Sequence, residues 1–227
     1  IYYKKIIKLL NLIQKIKTKK IKNFLGSNYT VPKYSKKLLL DEAKLFLDWY
    51  VPKKIKKKNQ RLLKKKLLLV FKILINKIKF SNKTFVHRDF HVSNLMIKKK
   101  KLCVIDSQDA VFGNLAYDVA SLIDDVRLKT TTQFKRILLN EYIKTNKKIN
   151  VKNFKNDFEI LSVLRNLKII GIFTRLSIRD NKNNYLKLIP YAWKLIELRI
   201  DRNEKFIELK EILDKYFSKK VRNNYEN

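Results

Sequence analysis

Cysteine occurs once in the 227 residues, so no internal disulfide can form, and a reducing compartment, the cytoplasm, is the expected location. Glycine is almost as scarce: Gly26, Gly113 and Gly171 are the only three, and neither G-x-G-x-x-G nor a Walker string is present. Apolar runs are short. The longest, such as Leu67 to Phe71, are cut by lysines far below the roughly 18 residues that a membrane span needs, and no signal-peptide pattern is visible. Acid is the other deficit, with 20 Asp and Glu against 54 Lys and Arg, a formal charge of +34. Such a balance ordinarily points to nucleic acid or an anionic membrane. Here only ten of the basic residues are arginine, and lysine is accompanied by abundant Ile and Asn, the residue set of an AT-rich genome. A selected phosphate-binding surface would use more of arginine's planar fork. The lysines are read as a solvated coat, and neither nucleic acid nor a membrane is the expected partner.

What is present is a chain rich enough in apolar residues, at 45%, to bury a core. Lysine is absent from two windows, Thr84 to Ile97 and Leu102 to Leu128, and both histidines, the single Met and the single Cys lie between His87 and Cys103. A buried or catalytic environment would keep lysine out of these windows; so would a plain core hairpin and helix. The second explanation leaves three residues unaccounted for. In FVHRDFHVSNLMI, Asp89 follows His-Arg and Asn94 stands five positions later; Asp106 then ends an apolar run twelve positions beyond. This is the spacing of a kinase catalytic loop, H-R-D-x-x-x-x-N, followed by a metal-binding aspartate. A hydroxyl attacking the terminal phosphate of ATP needs a carboxylate to orient it and take its proton, and Asp89 fits that role. Mg²⁺ takes hard oxygen ligands while keeping several waters, so Asn94 and Asp106 fit as its ligands. Zinc is not expected, because His87, His91 and one cysteine lack a suitable fourth ligand.

In chain order, apolar spacing predicts a helix over Ile1 to Lys20, a connector over Gly26 to Ser35, a helix over Leu38 to Tyr50 stopped or bent at Val51-Pro52, and a long helix over Gln60 to Phe80. Leu95 to Ile97 and Leu102 to Ile105 are expected to pair across the lysine run 98 to 101, bringing Asn94 and Asp106 to one end of a hairpin. Asn114 is a plausible cap for a helix over Leu115 to Arg127. Helices follow over Phe134 to Lys144, Phe154 to Ile178, Tyr185 to Arg199, with Pro190 as a kink or boundary, and Glu204 to Phe217. The predicted fold is mainly α with a small β-hairpin (α+β).

The segments FVHRDFHVSNLMI, VIDSQDAVFGNLAYDVASLIDD and GIFTRLSIRDNKNNYLKLIP together resemble the aminoglycoside phosphotransferase and choline kinase superfamily. The SQDA stretch, FLDWYV at Phe46 to Val51 and IFTRLSIRD are more narrowly similar to bacterial kinases that phosphorylate N-acetylmuramate and N-acetylglucosamine at the anomeric hydroxyl. The resemblance runs from about Lys36 to Pro190. It implies the C-terminal lobe of a protein-kinase-like fold over 36–227, preceded by a helical lead-in and connector over 1–35, with ATP and Mg²⁺ as cofactors and an amino sugar as the favoured hydroxyl acceptor. It also implies that Asp89 is the catalytic base, that Asn94 and Asp106 are metal ligands, that Asp118 braces the catalytic loop, and that Asp109 assists metal or substrate. Ser107 departs from a usual Phe, and Asn114 from a common Pro.

Each of the other polar residues has a bland reading beside the functional one. His87 and Arg88 are expected to support the loop; His91 stands between packing and a substrate contact; Arg175 and Arg179 are either helix surface or part of a substrate pocket. Asp124 and Asp125 are expected as helix-surface charges, and Cys103 as a buried small hydrophobe. The 86 residues before His87 read as helices and contain no nucleotide-covering sheet, phosphate loop or strand lysine. The chain is therefore expected to be one lobe, its partner lobe truncated, encoded elsewhere or lost. The alternatives are an inactive remnant of such a kinase and a basic nucleic-acid-binding protein.

Overall fold

A computed structural model of the chain describes residues 2–22, 24–99, 101–201 and 203–224. In order, the elements are α1 (Tyr2–Ile13), β1 (Lys20–Lys22), β2 (Asn28–Thr30), α2 (Lys36–Leu45), a π turn (Phe46–Tyr50), α3 (Val51–Lys54) and α4 (Lys57–Asn76). They continue with β3 (Thr84–Val86), β4 (Leu95–Lys98), β5 (Lys101–Val104), β6 (Val111–Gly113), α5 (Ala116–Ile123), α6 (Thr132–Thr145) and α7 (Val151–Asp180). The chain closes with α8 (Ile189–Ile200), α9 (Ile207–Tyr216) and α10 (Lys219–Asn223). Among the described residues the fold is mainly α with three small antiparallel sheets. The chain divides into two compact units, one of residues 1–35 and 79–158, the other of 36–78 and 159–227.

In the first unit, α1 buries Ile7, Leu10 and Ile13, a stripe at three-residue intervals, and packs on α6. The helix predicted to reach Lys20 ends at Ile13 because no buried position follows. The chain runs exposed through Lys15 to Lys20 and turns back at Gly26, whose φ of +78° suits glycine, to pair β1 with β2. This hairpin was not predicted; its strands are short, polar and wholly exposed. The segment after it lies beside β6, where Phe112 donates its amide to the Pro32 carbonyl and Tyr34 donates to the Phe112 carbonyl, both at 2.8 Å. β6 also pairs with β3, in the register Thr84↔Gly113 and Val86↔Val111. α5, behind this pair, is buried at every position. Asn114 starts it: Oδ1 accepts the Ala116 amide at 2.9 Å, while Nδ2 donates to the buried Asp157 carboxylate at 2.7 Å. The departure from proline at 114 therefore carries two structural bonds.

In the second unit the predicted break at Val51-Pro52 does not occur. The π turn carries the chain into α3, with the Val51 amide bonded to the Phe46 carbonyl, and Pro52 lies in the first turn of α3 within a helical path that continues to Lys54. Phe46, Tyr50, Trp193 and Phe217 form a buried ring cluster with centroids 5.2–5.9 Å apart. Gly171 lets α7 approach the Leu45 and Phe46 backbone. Pro190 marks a boundary rather than a kink, opening α8 after a 3₁₀ segment (Asn183–Leu188).

Candidate active site

β3 delivers the chain into the loop 87–94 at a point held from beneath by α5. Asp118, with no exposed surface, accepts the His87 amide at 2.7 Å through Oδ2 and the Arg88 amide at 3.0 Å through Oδ1. Two charge-assisted bonds from one buried carboxylate fix the backbone direction just before Asp89. They also hold Arg88 at φ +71°, a region that non-glycine residues occupy at a cost of roughly 1–2 kcal/mol. The Arg88 guanidinium lies 5.7 Å from the centre of the Tyr34 ring and donates to the Asp109 carbonyl at 3.2 Å, tying the loop to the segment after Asp106.

Past Asp89 the chain turns tightly. The His91 amide donates to the Asp89 carbonyl at 3.0 Å, and the Asn94 amide donates to the His91 carbonyl at 3.0 Å. Asn94 is buried, and its Nδ2 donates to the Asp89 carbonyl at 3.0 Å and reaches Asp106 Oδ2 at 3.5 Å. Asp89, Asn94 and Asp106 are thus brought together. β4 and β5 do this as the apolar runs predicted, pairing Leu95↔Val104 to Lys98↔Lys101, with the Ile105 amide donating to the Asn94 carbonyl beyond the last pair. Asp106 is the second residue of the site with φ +71°; it is exposed, with Gln108 Nε2 on its Oδ1 at 2.6 Å.

This donor set suits a hard divalent cation. With Nδ2 committed to the loop, the Asn94 Oδ1 is left as an acceptor, and this amide oxygen and the exposed Asp106 carboxylate leave room for phosphate oxygens and water. Among the described residues no group of three His, Cys, Asp or Glu side chains gathers to hold a metal.

His87 is buried, and burial holds its imidazole below the ordinary value of 6.5; the charges of Asp89 and Asp106 and the Ile105 backbone oppose that shift without overcoming it. His91 is also buried, and Asp109 is exposed. Arg175 and Arg179 lie on α7 in the second unit, where Arg179 is paired with its neighbour Asp180 through bonds of 2.7 and 3.0 Å.

Three expectations need correction. Asp124 and Asp125 are not surface charges: both are buried, Asp124 against Lys135 at 3.3 Å and Asp125 against backbone and Arg127. Cys103 is exposed, because β4 and β5 turn Met96, Cys103 and Ile105 outward on one face next to Asp106. Sequence reasoning also passed over Asp157, fully buried and accepting the Lys79 and Phe80 amides at 2.8 Å as they lead into β3. Asp157 stands among Lys155, Asn156 and Glu159, so nothing in the local pattern singles it out.

Residues 2–148 match the phosphotransferase enzyme family. The chain belongs to this family. Over 189 residues, 81% of the chain, it is 29% identical to the N-acetylmuramate/N-acetylglucosamine kinase of Pseudomonas aeruginosa. Over 169 residues, 70% of the chain, it is 32% identical to the N-acetylmuramate/N-acetylglucosamine kinase of Neisseria meningitidis. The matched stretches make up 56% and 50% of those two proteins, so the chain spans about half the length of the curated relatives it matches. Among the described residues no helix is long and apolar enough to cross a membrane.

Proposed function

We propose that the 87–109 region is the phosphoryl-transfer site of an ATP-dependent small-molecule kinase. The observation that carries the reading is the Asn94 side chain, which links the carbonyl of Asp89 to the carboxylate of Asp106 on a loop anchored by Asp118. Asp89, only partly buried, accepts the proton of the acceptor hydroxyl and orients its oxygen for in-line attack. Asn94 Oδ1 and the Asp106 carboxylate hold Mg²⁺, which when bound neutralises phosphate charge. Asp109, exposed beside them, is a further candidate for metal or substrate, and His91 for substrate. The favoured acceptor is an amino sugar, as the names of the two relatives suggest, phosphorylated at its anomeric hydroxyl.

No segment of this chain supplies a glycine-rich phosphate cover. We therefore assign the nucleotide-covering lobe to residues outside 1–227, on the same or another polypeptide. The test uses the protein that carries this chain, incubated with ATP, Mg²⁺ and N-acetylhexosamines. Asp89→Asn should lower turnover about 10²–10⁴-fold, the range of a positioned base, with circular dichroism unchanged. Undiminished turnover in that variant would sink the assignment. Tight, steeply salt-dependent binding to DNA without phosphoryl transfer would favour the nucleic-acid reading instead.

A further inference from the structure

Asp118 is not the only carboxylate by which this helix grips the loop. Two residues past the end of α5, Asp125 is 2% exposed, and its Oδ2 accepts the Val92 amide at 3.0 Å. Its Oδ1 accepts the Arg127 amide at 3.0 Å and Arg127 Nη1 at 3.3 Å. The loop is thus fastened at both ends to carboxylates carried by one buried helix and its exit. Asp118 holds the His87 and Arg88 amides, Asp125 holds the Val92 amide, and Asp89 lies between them.

Holding the Val92 amide constrains Asn94, two positions further on. Val92 opens the 3₁₀ turn that ends at Asn94, and the Asn94 amide and side chain both bond back into the loop, to the His91 and Asp89 carbonyls. A shift at Val92 would therefore move the Asn94 side chain relative to both Asp89 and Asp106. A carboxylate is required here rather than a neutral acceptor because the site presents two backbone N–H groups and a guanidinium at once. All three are donors, and an amide in that position would turn its own N–H toward one of them. Burying the charge is tolerable because these three donors meet it.

We propose that Asp125 is a positioning residue for phosphoryl transfer: by fixing the Val92 amide it sets where Asn94 stands between the base and the metal-binding carboxylate. The proposal rests on the phosphoryl-transfer reading of this site. Asp125 itself touches neither of the other two groups.

The test compares wild type, Asp125→Asn and a control, Thr131→Ala, in the protein that carries this chain. Thr131 caps α6 through the bond of its side chain to the Phe134 amide, within α6 itself, so its loss should lower the melting temperature alone. Asp125→Asn should speed amide exchange of the 88–94 segment about tenfold or more, the factor of one lost hydrogen bond, while exchange in α6 changes far less. Turnover should fall by about the same factor or more, with the Mg²⁺ concentration for half-maximal rate raised and KM for the acceptor within about threefold of wild type. Loop exchange unchanged in Asp125→Asn would overturn the proposal. So would faster exchange with kcat intact, or an equal loss of kcat in Thr131→Ala. If wild type shows no turnover, the phosphoryl-transfer reading fails separately, and the exchange comparison still decides whether Asp125 fixes the loop.

Discussion

Asp118→Asn changes one oxygen to an N–H₂ group and almost nothing in shape, so its effect isolates the grip of a single carboxylate on the loop. In wild type each oxygen accepts one backbone amide, at 2.7 and 3.0 Å, and the Asp118 side chain itself has no solvent exposure. Asparagine can serve only one of those amides. That bond loses its charge assistance, about 1 kcal/mol, and the second amide is left buried without an acceptor, about 1–3 kcal/mol more. Some of this returns if Arg88 abandons φ +71°, which recovers about 1 kcal/mol. The net loss should be about 1–3 kcal/mol, or roughly 4–12 °C in the melting of the first unit. Tryptophan fluorescence is the wrong probe, since Trp49 and Trp193 both belong to the other unit. The suitable assay is urea-dependent amide exchange of the peptide covering 84–92, with far-ultraviolet circular dichroism to confirm that the rest of the fold survives. A loss below about 1 kcal/mol, with the His87 and Arg88 amides still protected, would refute the view that Asp118 sets the loop.

Gly171→Ala should destabilise the second unit even though alanine is the better helix former by about 1 kcal/mol. A Cβ there would overlap the Leu45 and Phe46 backbone, which cannot swing aside as a side chain can; a net loss of about 2 kcal/mol or more by calorimetry is expected, and a gain would disprove the close approach. For His87 the sign follows from burial holding the folded imidazole below 6.5. Between that folded value and 6.5 the unfolded chain binds the extra proton, so the stability conferred is fully present above 6.5 and is lost as pH falls through the folded value. Denaturation curves of wild type and His87→Asn should therefore converge as pH drops from 7.5 to 5; a pH-independent gap between them would contradict this.

The residues proposed for the chemistry were legible because their spacing is local. Asp89, Asn94 and Asp106 lie on one short loop and the hairpin it enters, and the apolar runs either side of Lys98 to Lys101 were enough to pair β4 with β5. The same holds for α5, whose apolar stripe and preceding Asn114 announce a helix from sequence alone. What the residues could not announce is how their charges are used. Carboxylates default to the surface because burying an unpaired charge costs several kcal/mol. Asp118, Asp125 and Asp157 escape that rule only because distant amides arrive to satisfy them: His87 and Arg88 from 30 positions or more away, Val92 from 33, Lys79 from 78. The exposure of Cys103 and the helical passage through Pro52 were likewise settled by neighbours and by a π turn that no periodicity signals. Sequence by itself determined which groups could react, since that depends on residue type and short spacing; tertiary structure decided which backbone amides each buried charge would hold, since those partners meet only when the chain is folded.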